Sequence, residues 1–175
     1  MTQHFTLRRL SGALGAEVLG IDLSRPLAAE TIAALRAAWL EHLVLFFREQ
    51  DLSPETYLRV AAYFGVPQEY PLLKGIDSYP MITQVLKLPG ERVNFGGIWH
   101  SDTTYLAQPP SATLLLAREV PQFGGDTLFA NMYAAYDALS PGLQRVLRGL
   151  RGVSSSAKAD ASRTREDRVR DAGRE

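Results

Sequence analysis

A histidine and an aspartate stand two residues apart, just after a glycine pair and a tryptophan, in the stretch Asn94-Phe95-Gly96-Gly97-Ile98-Trp99-His100-Ser101-Asp102-Thr103-Thr104-Tyr105. His100 stands two residues before Asp102, and on a β-strand or at its end this spacing sends both side chains to one face. An imidazole and a carboxylate that converge there are two of the three ligands of a 2-His-1-carboxylate site for non-haem Fe(II). An ordinary surface His–Asp pair has the same spacing, so the motif alone leaves both interpretations open.

The composition predicts one soluble globular domain and excludes several kinds of site. The 175 residues are 46% apolar and 22% charged, with 19 basic and 19 acidic groups, so no net field favours a nucleic acid or a membrane surface. Cysteine is absent, which excludes disulfides, zinc–thiolate sites, iron–sulfur ligation and a cysteine nucleophile. The N-terminus lacks the basic-then-apolar order of a signal peptide, and no apolar run approaches the roughly 20 residues of a membrane span. We therefore expect a cytoplasmic protein.

Apolar periodicity and turn residues predict a β-rich α+β fold. The pattern indicates a buried stripe on the first helix and two strands, 43–47 and 112–117, that are buried on both faces. From Ser154 the chain becomes small and polar, which divides it into 1–153 and a mobile or lid-like segment, 154–175. The predicted strands are 5–10, 16–19, 43–47, 81–87, 112–117 and 127–130, and the predicted helices are 29–42, 54–63, 132–139 and 141–150.

Several motifs in a fixed order resemble the taurine dioxygenase family of Fe(II)- and 2-oxoglutarate-dependent oxygenases. The resemblance covers about residues 5 to 153 and rests on 15–18, 22–27, 43–50, 64–65, 99–105, 109–110 and 124–129. It implies a double-stranded β-helix (jelly-roll, clavaminate synthase-like) core with flanking helices. It also implies Fe(II), 2-oxoglutarate as co-substrate and O2, with hydroxylation of a small organic substrate and release of succinate and CO2.

The resemblance also assigns roles to residues. His100 and Asp102 match two metal ligands, and Thr127 matches a threonine that contacts 2-oxoglutarate, although a threonine after Gly-Gly-Asp also opens strands well. Asn94 matches positions that contact co-substrate or substrate, although an asparagine before a glycine pair is equally a turn former. The residues expected around the substrate are Tyr70, Asn94, Trp99 and Tyr105.

Two positions depart from the family members that act on taurine. Tyr70 stands where those members carry a substrate-binding histidine, and Leu73 stands where they carry a tyrosine. These departures argue against taurine as the substrate and favour a more apolar pocket.

The second histidine of the triad has no clear counterpart in this sequence. His42 is expected to cap the first long helix or to lie at the edge of the core, and His4 lies near the N-terminus. In the family the second histidine and an arginine for 2-oxoglutarate lie in the C-terminal part, and no such role is assigned to Arg163, Arg165, Arg168, Arg170 or Arg174. We therefore expect a truncated chain, a jelly roll incomplete at the C-terminus, and no activity of this chain alone.

Two other functions fit the same residues. One is a non-catalytic fragment or assembly module that needs a partner chain, such as a second copy in a homo-oligomer, to complete the fold. The other is a jelly-roll protein whose His100 and Asp102 hold a redox-inert metal such as Zn(II).

Overall fold

The computed structural model describes residues 4–87 and 96–156, and these residues form two compact units. One unit consists of the described residues up to Leu52 together with Leu115–Arg151, and the other of those from Ser53 to Leu114 together with those from Gly152 onward. The elements are β1 (Thr6–Arg9), β2 (Ala16–Leu19), α1 (Ala29–His42), β3 (Leu45–Phe46), α2 (Pro54–Ala62), α3 (Met132–Asp137) and α4 (Pro141–Arg148).

The three strands form one sheet in the order β1-β2-β3 within the first unit. β1 and β2 are antiparallel, and β2 and β3 are parallel with Ala16 opposite Leu45. The turn between β1 and β2 ends at Gly15, whose φ of 91° favours glycine. Ala16 and Val18 of β2 are buried, so the central strand supplies the sheet's share of the core.

Helix α1 packs one face into the same core, and it ends where the sequence predicts. Its buried residues are Thr31, Leu35, Ala38 and His42. Leu43 has a φ of 66°, and its amide donates to the Trp39 carbonyl at 2.7 Å, which closes the last turn. Of the predicted strand 43–47, only Leu45 and Phe46 pair, as β3, because Leu43 and Val44 belong to the turn that ends α1. The predicted burial on both faces is wrong, since the two residues are half-buried.

A buried carboxylate links the strands. Glu17 on β2 is only 4% exposed, and it lies opposite Arg8 of β1. Arg8 donates to Oε2 of Glu17 from both Nε, at 3.1 Å, and Nη2, while Nε of Arg48 lies 3.7 Å from Oε1. Charge-assisted pairs of this kind are stronger than neutral hydrogen bonds, so we assign part of the sheet's stability to this cluster.

Replacing Glu17 with Gln is expected to lower the free energy of unfolding by about 1–3 kcal/mol, because an amide satisfies the two guanidinium groups poorly. Urea unfolding followed by circular dichroism measures the change. Arg9→Ala is the matched control, since Arg9 and Glu41 are both exposed and 3.8 Å apart, and it should change stability by no more than about 0.5 kcal/mol. Equal effects of the two variants would show that the buried cluster has no special role.

The second unit is built on α2. Ser53 caps the helix, its side chain accepting from the Thr56 amide at 3.3 Å, and Pro54 follows as the first helical residue. Tyr57 donates from its hydroxyl to the Leu114 carbonyl at 2.6 Å, and burial raises the pKa of this phenol, so that it stays a donor. The helix thereby holds the segment 111–114, whose backbone leads to the candidate site.

Helices α3 and α4 confirm two predicted helices, each two residues shorter than expected. Asn131 and Ser140 supply the N-caps, their side chains accepting from the amides of Ala134 and Leu143. α4 begins with Pro141, and an apolar stripe on it stays at the surface. The exposed apolar residues in this part of the chain are Leu143, Val146, Leu147 and Leu150.

Three predicted strands are wrong. Residues 81–87, 112–117 and 127–130 pair with no strand within the described part of the chain, although several of their apolar side chains are exposed. Apolar content predicted these strands, but a strand forms only where a second backbone completes the ladder. Residues 4–87 and 96–156 contain one three-stranded sheet, so the jelly-roll core stays a prediction. Across these residues, no helix has the length and apolar character needed to cross a membrane.

Candidate metal site

His100 and Asp102 meet as the spacing predicts. Nε2 of His100 lies 3.0 Å from Oδ1 of Asp102, and the two side chains are 48% and 50% exposed. Both lie in the second unit, so their relative placement does not depend on how the units are arranged. The site therefore presents one imidazole nitrogen and one carboxylate oxygen to solvent at the same point.

The backbone that brings them together is a turn and not a strand. Asp102 begins a turn in which Thr103 has a φ of 48° and the Leu106 amide donates to the Thr103 carbonyl at 3.0 Å. The prediction that the pair lies on a strand or at a strand end is therefore wrong, although the predicted convergence is confirmed. The turn bends the chain immediately after His100, which brings the carboxylate back beside the imidazole.

The absence of a side chain at Gly96 leaves room for the imidazole of His100. Gly96 has a φ of 70°, and a Cβ at this position would lie 3.3 Å from Cε1 of His100. Any other residue would combine an unfavourable backbone conformation with a tight contact to the imidazole. The glycine before the motif is thus part of the site.

Each of the two side chains has a second partner that fixes its orientation. Nδ1 of His100 lies 2.7 Å from the Ile98 carbonyl, and because a carbonyl only accepts, Nδ1 carries a proton. A neutral imidazole in this tautomer presents the Nε2 lone pair toward Asp102. Thr113 donates from its hydroxyl to Oδ2 of Asp102 at 2.7 Å. The atoms that face each other are Nε2 of His100 and Oδ1 of Asp102.

This donor set fits a metal ion. Two lone pairs at 3.0 Å repel each other unless a proton or a cation satisfies both, and a nitrogen with a carboxylate oxygen suits Fe(II), Mn(II) or Zn(II). A second hydrogen bond behind each ligand is also the usual arrangement around protein metal ions. Among residues 4–87 and 96–156, no group of three or more His, Cys, Asp or Glu side chains could hold a metal together. The described pair by itself therefore supplies fewer than three ligands.

Two tyrosines lie beside Asp102. Burial, followed by the charges of Tyr105 and Asp102, raises the pKa of Tyr70 to about 12. Burial and Asp102 also raise the pKa of Tyr105, whose hydroxyl is buried and has no hydrogen-bond partner within the described residues. Both phenols therefore stay neutral near pH 7 and can donate a hydrogen bond. Tyr70 and Tyr105, both predicted around the substrate, therefore lie near enough to Asp102 for its charge to act on them.

A cavity of about 480 Å³ extends from Tyr70 along the segment 69–80. Its lining includes the apolar Leu73 and Ile76, and also Lys74 and Asp77, whose charged groups are 3.6 Å apart. The lining is thus mixed, with a cation among apolar side chains, whereas the sequence favours a more apolar pocket.

The structure does not assign the other predicted residues to this group. Trp99 is next to His100 in the sequence but 68% exposed, so it does not enclose the pair. Thr127 is exposed and belongs to the first unit, and Asn94 lies outside the described residues, as do the segment 157–175 and its arginines. His42 is buried at the end of α1, in agreement with a core-edge histidine.

Sequence reasoning did not identify Thr113 or the Ile98 carbonyl. Thr113 is eleven residues beyond Asp102, in a run that its composition marks as a buried strand, and no spacing rule connects the two. Ile98 contacts His100 through its backbone carbonyl, which every residue type has, so the sequence does not indicate this contact. Only the fold of the turn and of the segment held by α2 reveals these contacts.

Comparison with known proteins supports a common origin with a group of dioxygenases. The family model described as "Taurine catabolism dioxygenase TauD, TfdA family" matches residues 6–175. The chain is 36% identical over 156 residues to an alkylsulfatase of Acinetobacter baylyi, covering 89% of this chain and 48% of that protein. It is 34% identical over 148 residues to an alpha-ketoglutarate-dependent sulfate ester dioxygenase of Pseudomonas putida, covering 84% and 48%.

Solved structures agree with these matches. A taurine dioxygenase from Burkholderia xenovorans superposes with a TM-score of 0.73 at 36% identity, covering 86% of this chain and 53% of that one. The chain thus spans about half the length of the relatives and the structure that it matches.

Proposed function

Because the chain belongs to the taurine catabolism dioxygenase TauD/TfdA family, we propose that His100 and Asp102 hold Fe(II) in a 2-oxoglutarate-dependent dioxygenase. The observation that carries the proposal is the 3.0 Å approach of Nε2 to Oδ1, with a hydrogen-bond partner behind each side chain. A surface ion pair requires neither partner, whereas a metal site depends on both. The alternative is that the same ligands hold a redox-inert metal such as Zn(II). Consumption of 2-oxoglutarate distinguishes an iron oxygenase from such a protein.

The chemistry that bound Fe(II) would supply is oxidation by O2 coupled to decarboxylation of 2-oxoglutarate, which yields succinate, CO2 and a hydroxylated small organic substrate. His100 and Asp102 would hold the metal at one side and leave its other positions open. Tyr70 and Tyr105, both neutral, can donate to polar groups of the substrate. The cavity beside Tyr70 carries Lys74 together with Asp77 and Glu69, so its charges do not favour an anionic substrate over a neutral one.

We further propose that turnover needs a second histidine which these 175 residues do not provide. The sequence has three histidines, of which His42 is buried at the end of α1. Neither it nor His4 joins His100 in a ligand group within the described residues. The oxygenase part is 1–153, and the role of 154–175 as a lid stays a prediction.

The test is succinate formation with Fe(II) and 2-oxoglutarate across a panel of sulfate esters, sulfonates and aryloxy acids. A form of the enzyme that supplies the second histidine should make succinate with at least one member of the panel, and the 175-residue chain alone should make none above a His100→Ala control. Succinate from the chain alone would overturn the proposed incompleteness. No succinate from the completed form would count against the oxygenase.

Thr127→Ala in the completed form is expected to weaken 2-oxoglutarate binding about tenfold while leaving metal binding unchanged, because a single hydrogen bond to a charged ligand contributes roughly 1.5 kcal/mol. Anaerobic titration with 2-oxoglutarate, followed by the visible charge-transfer band of the Fe(II) complex, gives the dissociation constant. Thr127→Ser is the control and should restore binding. Unchanged affinity in Thr127→Ala would remove this residue from the co-substrate site.

A second candidate function, an assembly module completed by a partner chain, is favoured by exposed apolar surface. The stripe on α4 is uncovered, and the extended segments 112–117 and 127–130 expose Leu115 and Leu128. An exposed apolar surface of this kind is one that a partner chain can cover. Sedimentation velocity of the 175-residue chain separates the possibilities: a monomer with cooperative thermal unfolding would exclude the module, and a defined oligomer would support it.

A further inference from the structure

We propose that Thr113 is a positioning residue for the metal ligand Asp102: its hydroxyl holds Oδ2 and leaves only Oδ1 for the metal. This inference rests on the proposed iron site and goes beyond it, since it concerns how the carboxylate binds. The 2.7 Å hydrogen bond from Thr113 to Oδ2 and the 3.0 Å approach of Oδ1 to His100 Nε2 assign separate tasks to the two oxygens.

The backbone that carries Thr113 is fixed independently of the metal. Leu114, the next residue, accepts the 2.6 Å hydrogen bond from Tyr57 on α2 through its carbonyl. α2 itself starts at a capped, proline-initiated turn. The backbone next to Thr113 is therefore held by α2, which is the kind of support that a ligand needs to keep its geometry.

The consequence is a carboxylate that binds through one oxygen. A carboxylate without such a partner can rotate about its Cβ–Cγ bond and present both oxygens to a cation, which uses one more coordination position. A dioxygenase needs positions for the co-substrate and for O2, so holding Oδ2 away preserves them. The Ile98 carbonyl orients the other ligand by accepting a hydrogen bond from Nδ1 of His100. A side-chain substitution cannot remove a backbone carbonyl, so Thr113 is the position at which the outer hydrogen bond can be tested.

The experiment compares Co(II) binding to the 175-residue chain carrying Thr113→Val, Thr113→Ser or Thr113→Ala. Co(II) accepts the same nitrogen and oxygen ligands, and its visible spectrum reports the number of donors. Thr113→Val should weaken binding by about 10-fold or more and alter the visible band, as expected when an outer partner is lost. Thr113→Ser keeps the hydroxyl and should remain within about threefold of the unmodified chain.

Thr104→Val is the matched control, because Thr104 is exposed and lies two residues from Asp102 on the same turn. It should leave both affinity and spectrum unchanged. Thermal unfolding without metal identifies a variant that fails to fold, in which case Thr113→Ala and Thr113→Ser decide the result.

Two outcomes would overturn the inference in different ways. If His100→Ala loses Co(II) while Thr113→Val and Thr113→Ala bind as tightly as the unmodified chain, the metal site stands and Thr113 has no part in it. If His100→Ala binds as well as the unmodified chain, both the metal site and the inference fail. Loss of binding in Thr113→Ser, despite its hydroxyl, would also contradict it.

Discussion

Asp102→Ala is expected to reduce succinate formation by more than about 100-fold in the form that completes the ligand set. The change removes a metal ligand, and even the loss of an outer hydrogen-bond partner commonly costs 10- to 100-fold in affinity or activity. It also leaves the Thr113 hydroxyl and the His100 Nε2 atom without the group they now face. The measurement is the initial rate of succinate release at saturating Fe(II).

Asp102→Asn sharpens this prediction, because it keeps the size of the side chain and removes its charge. It should retain the fold and still lose most of the activity, since a neutral amide oxygen binds Fe(II) weakly. Thr104→Val, on the same turn, should retain full activity. Activity of Asp102→Ala within about threefold of the unmodified enzyme would rule out Asp102 as a ligand.

Leu35→Ala is expected to lower the free energy of unfolding by about 2–5 kcal/mol. Leu35 is 1% exposed on α1 and is among the largest fully buried side chains of the described residues. Truncation removes apolar contacts and leaves a cavity, and both terms destabilise the folded state. Since domains are typically stable by only about 5–15 kcal/mol, this change alone could leave much of the chain unfolded.

Leu40→Ala is the control for Leu35→Ala, since Leu40 lies on the same helix and is 70% exposed. It should change stability by less than about 0.5 kcal/mol, because alanine is the better helix former and little buried contact is lost. Urea unfolding followed by circular dichroism gives both values. Equal destabilisation by the two changes would show that α1 does not pack as described.

The helices could be predicted from the sequence because their signals are local. Ser53-Pro54 and Ser140-Pro141 combine a capping side chain with a residue already suited to the first turn, and both helices begin there. The apolar period on α1 gave its bounds correctly. The predicted buried stripe is present, and its members are Thr31, Leu35, Ala38 and His42.

The strands could not be predicted equally well, because a strand depends on a partner that may be far away in the sequence. The run Ala112–Ala117 has the composition of a buried strand, yet its described hydrogen bonds join Thr113 to Asp102 and Leu114 to the Tyr57 hydroxyl, and not a neighbouring strand. Apolar content shows that a segment favours burial or pairing, and it does not show which backbone pairs with it.

The candidate site shows the same division between local and distant information. The convergence of His100 and Asp102 follows from two positions that are two residues apart, and it is present although a turn stands where the sequence predicts a strand. Thr113 comes from a segment that only tertiary packing brings to Asp102. Local spacing therefore identified the pair, and the fold identified what holds it.

The most direct test of the metal site is Mn(II) binding to the 175-residue chain, followed by the electron paramagnetic resonance signal of free Mn(II). The unmodified chain should remove one equivalent of Mn(II) from solution, and His100→Ala and Asp102→Ala should each weaken that binding by at least about tenfold. Binding that is equally tight in all three proteins would place the metal elsewhere and contradict the assignment of His100 and Asp102.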